Sequence, residues 1–340
     1  MRVTILAHGG FPERAKTALG VLRYGDHEVV AVLDRDTAGT VVADHVPDLG
    51  AVPIVAELHE VDEPVDALLI GIAPIGGSFD ESWRPDVRAA LERGCDVIAG
   101  LHYFLATDEE FVALADEHGG ELWDVREPPE GLGVSEGRAA DVDAEVICTV
   151  GTDCSVGKMT ATMELVRAAR EAGYDAAAIP TGQTGIVIEG WGNPIDRVIS
   201  DFAAGAVEEM LLEKGDEHDY LIVEGQGSIV HPAYSPVTLA ILHGAMADRL
   251  VLCHAHDREA IRGYESFALP PIPTCVELYE SLAAPVKPTR VVAGALNTAG
   301  AADDADARRA LERFEATLGA PATDPVRFDA DEVLEAVLET

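Results

Sequence analysis

The chain is poor in lysine and has no apolar run long enough to cross a membrane. Only four of its 24 basic residues are lysines, whereas 61 residues are acidic, and the formal net charge is −37. A surface with this charge repels nucleic acid and anionic membranes, so we expect neither as a partner. The first seven residues read as a strand, without the apolar core and cleavage site of a signal sequence. We therefore expect a cytoplasmic protein that acts on small molecules.

Cysteine is also scarce, and its pattern excludes a disulfide framework. The five cysteines are odd in number, widely spaced and mostly set in apolar, strand-like runs. This pattern is typical of reduced, buried thiols. Cys154 is the one candidate for special chemistry, because a helix N-terminus and a nearby ammonium lower a thiol pKa. A packing role is nevertheless the favoured interpretation of this residue.

The acidic residues are scattered over predicted helix faces, for example at Asp108 to Glu110 and at Asp303 to Asp306, and they form no tail. Such a solvated shell suits high salt, because charge repulsion is screened over about 3 Å at molar ionic strength. We therefore expect a halophilic protein. On this interpretation the acidity is an adaptation to salt and carries little information about the substrate.

The most informative motif is VICTVGTDCSVGKMT, residues 146–160. A short apolar strand ends at Gly151, a five-residue turn follows, and Gly157 and Lys158 then open a helix. This arrangement points several backbone N–H groups into one concavity, where the helix dipole and the Lys ammonium add positive potential. It predicts a binding site for a di- or triphosphate. The predicted cofactor-binding residues of this loop are Gly151, Thr152, Asp153, Cys154, Ser155, Val156, Gly157, Lys158, Met159 and Thr160.

The motif departs from the usual phosphate-binding loop in two ways. Its turn has five residues where four are usual, and Met159 stands where a Ser or Thr hydroxyl would coordinate magnesium. Thr160 supplies that hydroxyl only if the helix start shifts. The spacing resembles the loop of dethiobiotin synthetases and cobyric acid synthases, while the missing hydroxyl argues against metal-assisted transfer of a γ-phosphoryl group.

Strand-like and helix-like segments alternate on both sides of a segment rich in Pro, Gly and charge. The chain of 340 residues is long enough for two domains, each with its own core. The alternation predicts an α/β protein: a Rossmann-like N-terminal domain at residues 1–128, a linker at 129–143, and a P-loop NTPase-like domain with a mostly parallel sheet at 144–340. The turn His8-Gly9-Gly10 lacks the GxGxxG spacing, so we expect the first domain to bind no nicotinamide.

In such a sheet, residues just past the carboxyl ends of the strands converge on the phosphate loop. Gln183 and Thr184, in a polar turn after one strand, are predicted to hold the substrate. Glu224, at the end of the next strand, is placed to bind magnesium or to orient an amine, unless it only caps a turn. Asn297, past a later strand, offers a donor and an acceptor suited to a purine.

Histidines and arginines follow another strand of the second domain. His254 and His256 lie on one side of an extended segment, but without a third ligand at a fixed spacing they predict no metal site. A His near its working pKa is a better candidate for a general base. Arg258 and Arg262 are one helical turn apart and are placed to clamp a dicarboxylate, or else only to pair with acidic side chains.

Six segments together resemble one family: GTDCSVGKMT, PTGQTG, DRVISDFAAGAVE, VEGQGS, HDREAIRGY and ALNTAG. This two-domain family, long filed as a domain of unknown function, has a Rossmann-like domain before a P-loop domain. The resemblance covers essentially the whole chain. Members in marine bacteria and haloarchaea are associated with D-glutamate N-acetyltransferase activity, in which an acetyl group passes from acetyl-CoA to the amine of D-glutamate. The resemblance therefore implies acetyl-CoA as the ligand of the loop.

Coenzyme A carries a pyrophosphate and a ribose phosphate, which a phosphate loop can hold without hydrolysing anything. We then expect Lys158 and the loop N–H groups to hold these phosphates. The residues predicted to take a proton from the amine are Glu224, His231, His254 and His256. Loop N–H groups or Gln183 are expected to steady the oxyanion, and Arg258 and Arg262 to hold the glutamate carboxylates.

Two other functions stay open at this point. The first is an ATP-dependent ligase that resembles dethiobiotin synthetase and uses ATP with magnesium. Its candidate metal ligands are Glu224 and Asp201, the latter only if its helix packs as in that group. The second is a non-catalytic nucleotide sensor. In each case we expect small-molecule ligands and a homo-oligomer, whose size the sequence does not give.

Overall fold

The computed structural model describes residues 1–72, 74 and 76–338, apart from the side chain of Glu332. The strands are β1 (Arg2–Leu6), β2 (Glu28–Leu33), β3 (Ile54–Val55), β4 (Ala67–Ile70), β5 (Asp96–Ala99), β6 (Leu122–Asp124), β7 (Glu145–Gly151), β8 (Ala176–Ile179), β9 (Tyr220–Val223), β10 (Arg249–Ala255), β11 (Ala260–Ile261), β12 (Tyr264–Ala268), β13 (Arg290–Asn297) and β14 (Ala322–Thr323). The helices are α1 (Lys16–Tyr24), α2 (Val42–His45), α3 (Arg84–Glu92), α4 (Glu109–His118), α5 (Lys158–Glu171), α6 (Gln183–Glu189), α7 (Ser200–Lys214), α8 (Ser235–Ala245), α9 (Ile272–Ala283), α10 (Asp304–Leu318) and α11 (Asp331–Leu338).

The chain divides into two compact units. Residues 1–128 and 183–194 form the first unit, whereas residues 129–182 and the chain from Ile195 onward form the second. The first unit thus includes a segment, 183–194, that the sequence pattern assigns to the P-loop domain. The second unit includes the segment 129–143 that the pattern assigns to a linker.

The first unit is built on a six-stranded parallel sheet. Its strand order is β3-β2-β1-β4-β5-β6, which is the order of a Rossmann sheet. The central strands are runs of Val, Ile, Leu and Ala that are buried on both faces, as expected for a parallel sheet covered by helices. Phe111 of α4 lies in the same buried cluster as Leu68 and Ile70 of β4. The predicted α/β class is confirmed for this unit.

Helix α6 packs within the first unit. The Oγ1 atom of Thr184 lies 2.9 Å from Oγ1 of Thr17 in the first turn of α1. The side chain of Gln183 lies against the backbone of Gly100, next to the end of β5. In Rossmann domains that bind a dinucleotide, the pyrophosphate lies at the N-terminus of the first helix. Gln183 and Thr184, predicted as substrate residues of the second domain, thus lie in this unit, where Thr184 is buried.

The second unit also has a six-stranded parallel sheet, in the order β14-β13-β10-β7-β9-β8. Strand β7 is interior, and its residues after Glu145 are buried. The loop that follows β7 starts at the carboxyl edge of the sheet, between β10 and β9. This is the topological position where open α/β sheets bind their ligands. Strands β11 and β12 form a separate antiparallel hairpin.

The segment predicted to be a linker is held firmly in the second unit. The buried carboxylate of Glu208 in α7 accepts hydrogen bonds from the backbone N–H groups of Glu136 (2.7 Å) and Arg138 (2.6 Å). The hydroxyl of Ser135 donates a third, at 3.0 Å. Part of the segment whose composition predicts a linker thus has its backbone organised by one buried carboxylate that needs donors.

The sequence pattern leads us to expect no membrane-spanning segment. Among the residues that the structure describes, we find no helix that combines the length and the apolar character needed to cross a bilayer.

Candidate functional site

The loop between β7 and α5 has the backbone geometry of an anion-binding nest. Ser155 (φ 54°) and Gly157 (φ 103°) adopt left-handed conformations, which turn the chain sharply before Lys158. Gly157 is the residue type that takes such a φ without strain. Within the described part of the chain, the N–H groups of Ser155, Val156 and Gly157 donate to no protein acceptor. They are therefore available to an anion at the positive end of α5.

The Lys158 side chain folds back into the loop. Its Nζ donates to the carbonyl oxygen of Asp153 at 2.9 Å, and the residue is buried. Its stem runs along Gly225, where an added Cβ would lie 3.3 Å from Cδ of Lys158 and would overlap the carbonyl oxygen of Thr149. Only glycine fits at position 225, because the turn after β9 touches both the lysine stem and β7.

Asp153 ties the loop to the segment after β10. Its side chain is fully buried, and Oδ1 accepts a hydrogen bond from the N–H of Cys154 at 2.7 Å. Oδ2 accepts from the Arg258 guanidinium at 2.6 Å and from the N–H of Arg262 at 2.8 Å. Arg258 thus pairs with an acid of the loop, while Arg262 contributes its backbone and keeps its side chain exposed.

Tyr279 and Ser228, which are not among the predicted site residues, hydrogen-bond to the backbone of the loop. The hydroxyl of Tyr279, in α9, donates to the carbonyl oxygen of Gly151 at 2.7 Å and accepts from the N–H of Ile229 at 3.1 Å. Burial raises the pKa of this phenol, which keeps its proton. The hydroxyl of Ser228 donates to the carbonyl oxygen of Thr152 at 3.0 Å. In the sequence, Tyr279 looks like any other residue on the apolar face of an amphipathic helix. Nothing in its neighbouring residues therefore predicts its contact with the loop.

Glu224 lies directly after β9 and is 3% exposed. Its Oε2 accepts hydrogen bonds from the N–H groups of Thr181 (3.3 Å) and Gly182 (3.2 Å), the turn after β8. In return, the Thr181 hydroxyl donates to the Glu224 carbonyl oxygen at 2.6 Å. The carboxylate is thus held in one orientation, beside the Gly225 backbone that touches the lysine stem.

His231 is fixed as a hydrogen-bond donor. Its Nδ1 accepts the N–H groups of Ala233 (3.1 Å) and Tyr234 (3.2 Å), so the ring hydrogen lies on Nε2. The residue is 1% exposed. An imidazole whose acceptor nitrogen is occupied in this way offers an N–H to a neighbour and has no lone pair left to act as a base. The geometry therefore points away from the proton-accepting role predicted for His231.

His254 and His256 have different surroundings. His254 Nδ1 lies 2.8 Å from the hydroxyl of Thr152, and its ring stacks on Phe314 at 5.6 Å between centroids. Burial, helped by Arg258, lowers the pKa of His254 to about 4, so it is neutral near pH 7. His256 Nε2 instead lies 3.1 Å from Oδ2 of the exposed Asp257. Of these two histidines, His254 is therefore the one that touches the loop.

Asp153, Cys154 and His231 bring three potential ligand atoms within 4.8 Å of one another. The sequence did not suggest this set. Asp153 is already paired with Arg258, His231 presents a donor, and burial raises the pKa of the Cys154 thiol to about 11. An ion-paired carboxylate, an imidazole that presents an N–H, and a thiol that keeps its proton are poor metal ligands, so this cluster does not favour cation binding. The raised thiol pKa agrees with the packing role favoured for Cys154, because desolvation outweighs the attraction of Lys158.

The other predicted site residues have clear positions. Asn297 ends β13 beside Gly157, and its Oδ1 accepts the N–H of Ala299 at 3.0 Å. Met159 is buried in α5, and Thr160 is half-buried. Asp201 is exposed in the first turn of α7, and within the described residues neither it nor Glu224 joins a set of three close ligand atoms.

Two family models match the chain. A P-loop domain described as the domain of unknown function DUF1611 matches residues 133–334, and the Rossmann-like N-terminal domain of the same name matches residues 35–128. The order of these matches confirms the predicted order of a Rossmann-like and then a P-loop domain.

Three known proteins are similar over most of their length. A D-glutamate N-acetyltransferase of a Pseudoalteromonas species is 37% identical over 78% of this chain and 79% of its own length. One of Tritonibacter scottomollicae is 35% identical over 79% of this chain and 80% of its own. The crystal structure of a DUF1611 family protein from Anabaena variabilis superimposes with a TM-score of 0.95 at 38% identity, covering 100% of this chain and 99% of that one.

Proposed function

This chain belongs to the two-domain DUF1611 family, and from that premise we propose that it is an N-acetyltransferase that transfers an acetyl group from acetyl-CoA to the amine of D-glutamate. The two relatives that carry this name support the reaction class and the acceptor. One structural observation carries the proposal: the loop presents free N–H groups and a lysine, with buried Met159 in place of a magnesium-binding hydroxyl.

The loop fits the charged part of coenzyme A. Three kinds of positive group meet at the loop. They are the N–H groups of Ser155, Val156 and Gly157, the positive end of the α5 dipole, and the ammonium of Lys158. A pyrophosphate needs such donors for binding, and it needs a metal mainly when a phosphoryl group must be transferred. When bound, acetyl-CoA supplies an activated thioester carbonyl.

Glu224 is the residue best placed to handle the proton. Its carboxylate is buried and is oriented by the N–H groups of Thr181 and Gly182. It takes one proton from the substrate ammonium, which makes the nitrogen nucleophilic; as the amide forms, the nitrogen loses a second proton, and of these two protons one goes to the departing thiol and the other to solvent. His231, with its hydrogen on Nε2, is suited to donate to the oxygen on which negative charge develops. The exposed side chain of Arg262 is free to meet a glutamate carboxylate.

Release of free thiol tests the reaction directly. We expect the protein, in molar KCl with acetyl-CoA, to release one CoA thiol per D-glutamate consumed, with L-glutamate slower. A parallel incubation with ATP, magnesium and D-glutamate should release no ADP. Metal-dependent ADP release without thiol release would replace acetyl transfer by the ligase reaction.

Lys158→Ala tests whether the loop holds the acyl donor. Removal of one charged donor to phosphate costs about 1.5–3 kcal/mol, so the KM for acetyl-CoA should rise at least about tenfold. The KM for D-glutamate should change little. Lys214→Ala is the matched control, because this half-buried lysine of α7 pairs with acids of its own neighbourhood, Glu213 and Glu217. An unchanged KM for acetyl-CoA in Lys158→Ala would remove the loop from CoA binding.

A further inference from the structure

Exposed aromatic side chains concentrate next to the phosphate loop. In the described part of the chain four aromatic residues are exposed, and three of them are Tyr234 (50%), Tyr264 (39%) and Phe267 (52%). The fourth, Trp123, lies in the first unit. Contiguous exposed apolar surface on a soluble protein often marks a binding site. This cluster has no role in the acetyl transfer described above.

The exposed rings form a continuous series that begins at a buried residue of the site. His231 stacks on Tyr234 at 4.6 Å between centroids, and the edge of Tyr264 meets His231 at 5.1 Å. Phe267 follows Tyr264 at 6.4 Å. Because His231 lies within 4.8 Å of ligand atoms of Asp153 and Cys154, the series leads from the loop outward to solvent.

Tyr264 and Phe267 belong to the β11–β12 hairpin, which is anchored to the loop at its base. Ile261 is 1% exposed, and the N–H of the neighbouring Arg262 donates to Asp153 at 2.8 Å. Among the strands that the structure describes, these two pair only with each other, and all five residues of β12 are exposed. The hairpin is therefore tied to the loop through Arg262 and carries its exposed rings on the strand that follows.

We propose that Tyr264 and Phe267, whose rings meet edge to face at 74°, form an aromatic platform in which the adenine ring of the cofactor stacks on one ring and meets the other edge-on. The inference rests on the proposed function, in which CoA phosphates occupy the loop. Adenine is joined through ribose to the pyrophosphate, so its ring lies near any site that holds the phosphates. Aromatic side chains offer a flat apolar surface that base rings stack on. The loop binds anionic groups and has no surface that recognises a base. The platform supplies that recognition.

A second copy of the chain is the less suitable occupant. Two side chains offer far less area than a stable protein interface, which buries roughly 800 Å² per partner. The hairpin also carries exposed Glu259 and Glu265, and a chain of net charge −37 would bring like charges against them. The adenine ring is uncharged, and its phosphates are held in the loop, so its binding avoids that repulsion.

The experiment measures binding by calorimetry in molar KCl, with CoA and inorganic pyrophosphate as probes. The test variant is Tyr264→Leu with Phe267→Leu, which removes the rings but keeps apolar bulk. Trp123→Leu is the control for losing an exposed aromatic residue. Asn297→Ala is the competing arm, because Asn297 is the other candidate for reading the purine. We expect the double variant to bind CoA at least about tenfold more weakly and to bind pyrophosphate unchanged within about twofold.

Four outcomes would overturn the platform. One is an unchanged Kd for CoA in the double variant. Another is equal weakening of CoA and pyrophosphate, which would make the hairpin a support for the loop. A third is loss of the preference for CoA over pyrophosphate in Asn297→Ala but not in the double variant. The last is a changed subunit number with CoA affinity intact, which would make the hairpin an interface between copies.

Failure of the proposed function is distinguishable from failure of the platform. Binding requires no turnover, so CoA affinity that depends on the rings, without thiol release, would keep the platform and discard acetyl transfer. Thiol release with ring-independent affinity would do the reverse.

Discussion

Glu224→Gln is expected to lower kcat for acetyl transfer at least about 100-fold, because a positioned general base contributes roughly 10²–10⁴ in rate. Glutamine keeps the shape of the side chain and can accept the N–H groups of Thr181 and Gly182 through its oxygen. It cannot take a proton from the substrate ammonium. The KM for acetyl-CoA should therefore change little, and the loss should appear in thiol release at saturating substrates.

The matched control is Glu164→Gln, since Glu164 is also 3% exposed but lies inside α5 and pairs with Arg167. We expect its kcat to stay within about twofold of the wild type. Retention of more than a tenth of kcat in Glu224→Gln would transfer the role to another group, with His254 the next candidate by position.

Asp153→Asn is expected to destabilise the second unit by about 2 kcal/mol, because it removes the charged acceptor, itself fully buried, of the half-buried Arg258 guanidinium. The Asn oxygen can replace only part of the contacts that Asp153 makes to Cys154 and Arg262. Since the same carboxylate anchors both the loop and the hairpin, affinity for CoA should fall together with stability.

The distribution of tryptophan makes this measurement specific. All three tryptophans, Trp83, Trp123 and Trp191, lie in the first unit. In urea with molar KCl, far-UV circular dichroism should show an earlier transition for Asp153→Asn, while tryptophan fluorescence keeps its wild-type midpoint. Asp257→Asn, at an exposed position whose carboxylate lies 3.1 Å from Nε2 of His256, should stay within about 0.5 kcal/mol of the wild type. Coincident, unshifted transitions in Asp153→Asn would show that the buried pair adds no net stability.

The phosphate loop was predictable because everything that defines it is contiguous. Gly157 takes a left-handed φ, Lys158 starts the helix, and an apolar strand precedes them, so backbone preference and residue order specify the local structure. The alternation of apolar strands with helices similarly predicted two parallel sheets. Six short segments, read together, were enough to indicate the family.

What surrounds the loop was not predictable in the same way. Tyr279 reaches Gly151 across 128 positions of sequence, and Thr152 meets His254 across 102. The assignment of α6 to the first unit, the donor state of His231 and the raised thiol pKa of Cys154 likewise depend on neighbours that no local pattern names.

The sequence by itself thus determined the element order, the two sheets and the backbone shape of the loop between β7 and α5, since these follow from periodicity and from glycine conformations over a few residues. Only the tertiary structure decided which polar groups meet, which nitrogen of His231 carries its hydrogen and how strongly each acid or thiol is desolvated. The physical reason is the distance along the chain over which each kind of interaction acts. Backbone preferences act over one turn of chain, whereas hydrogen-bond partners and burial are set by segments that packing brings together from more than a hundred residues apart.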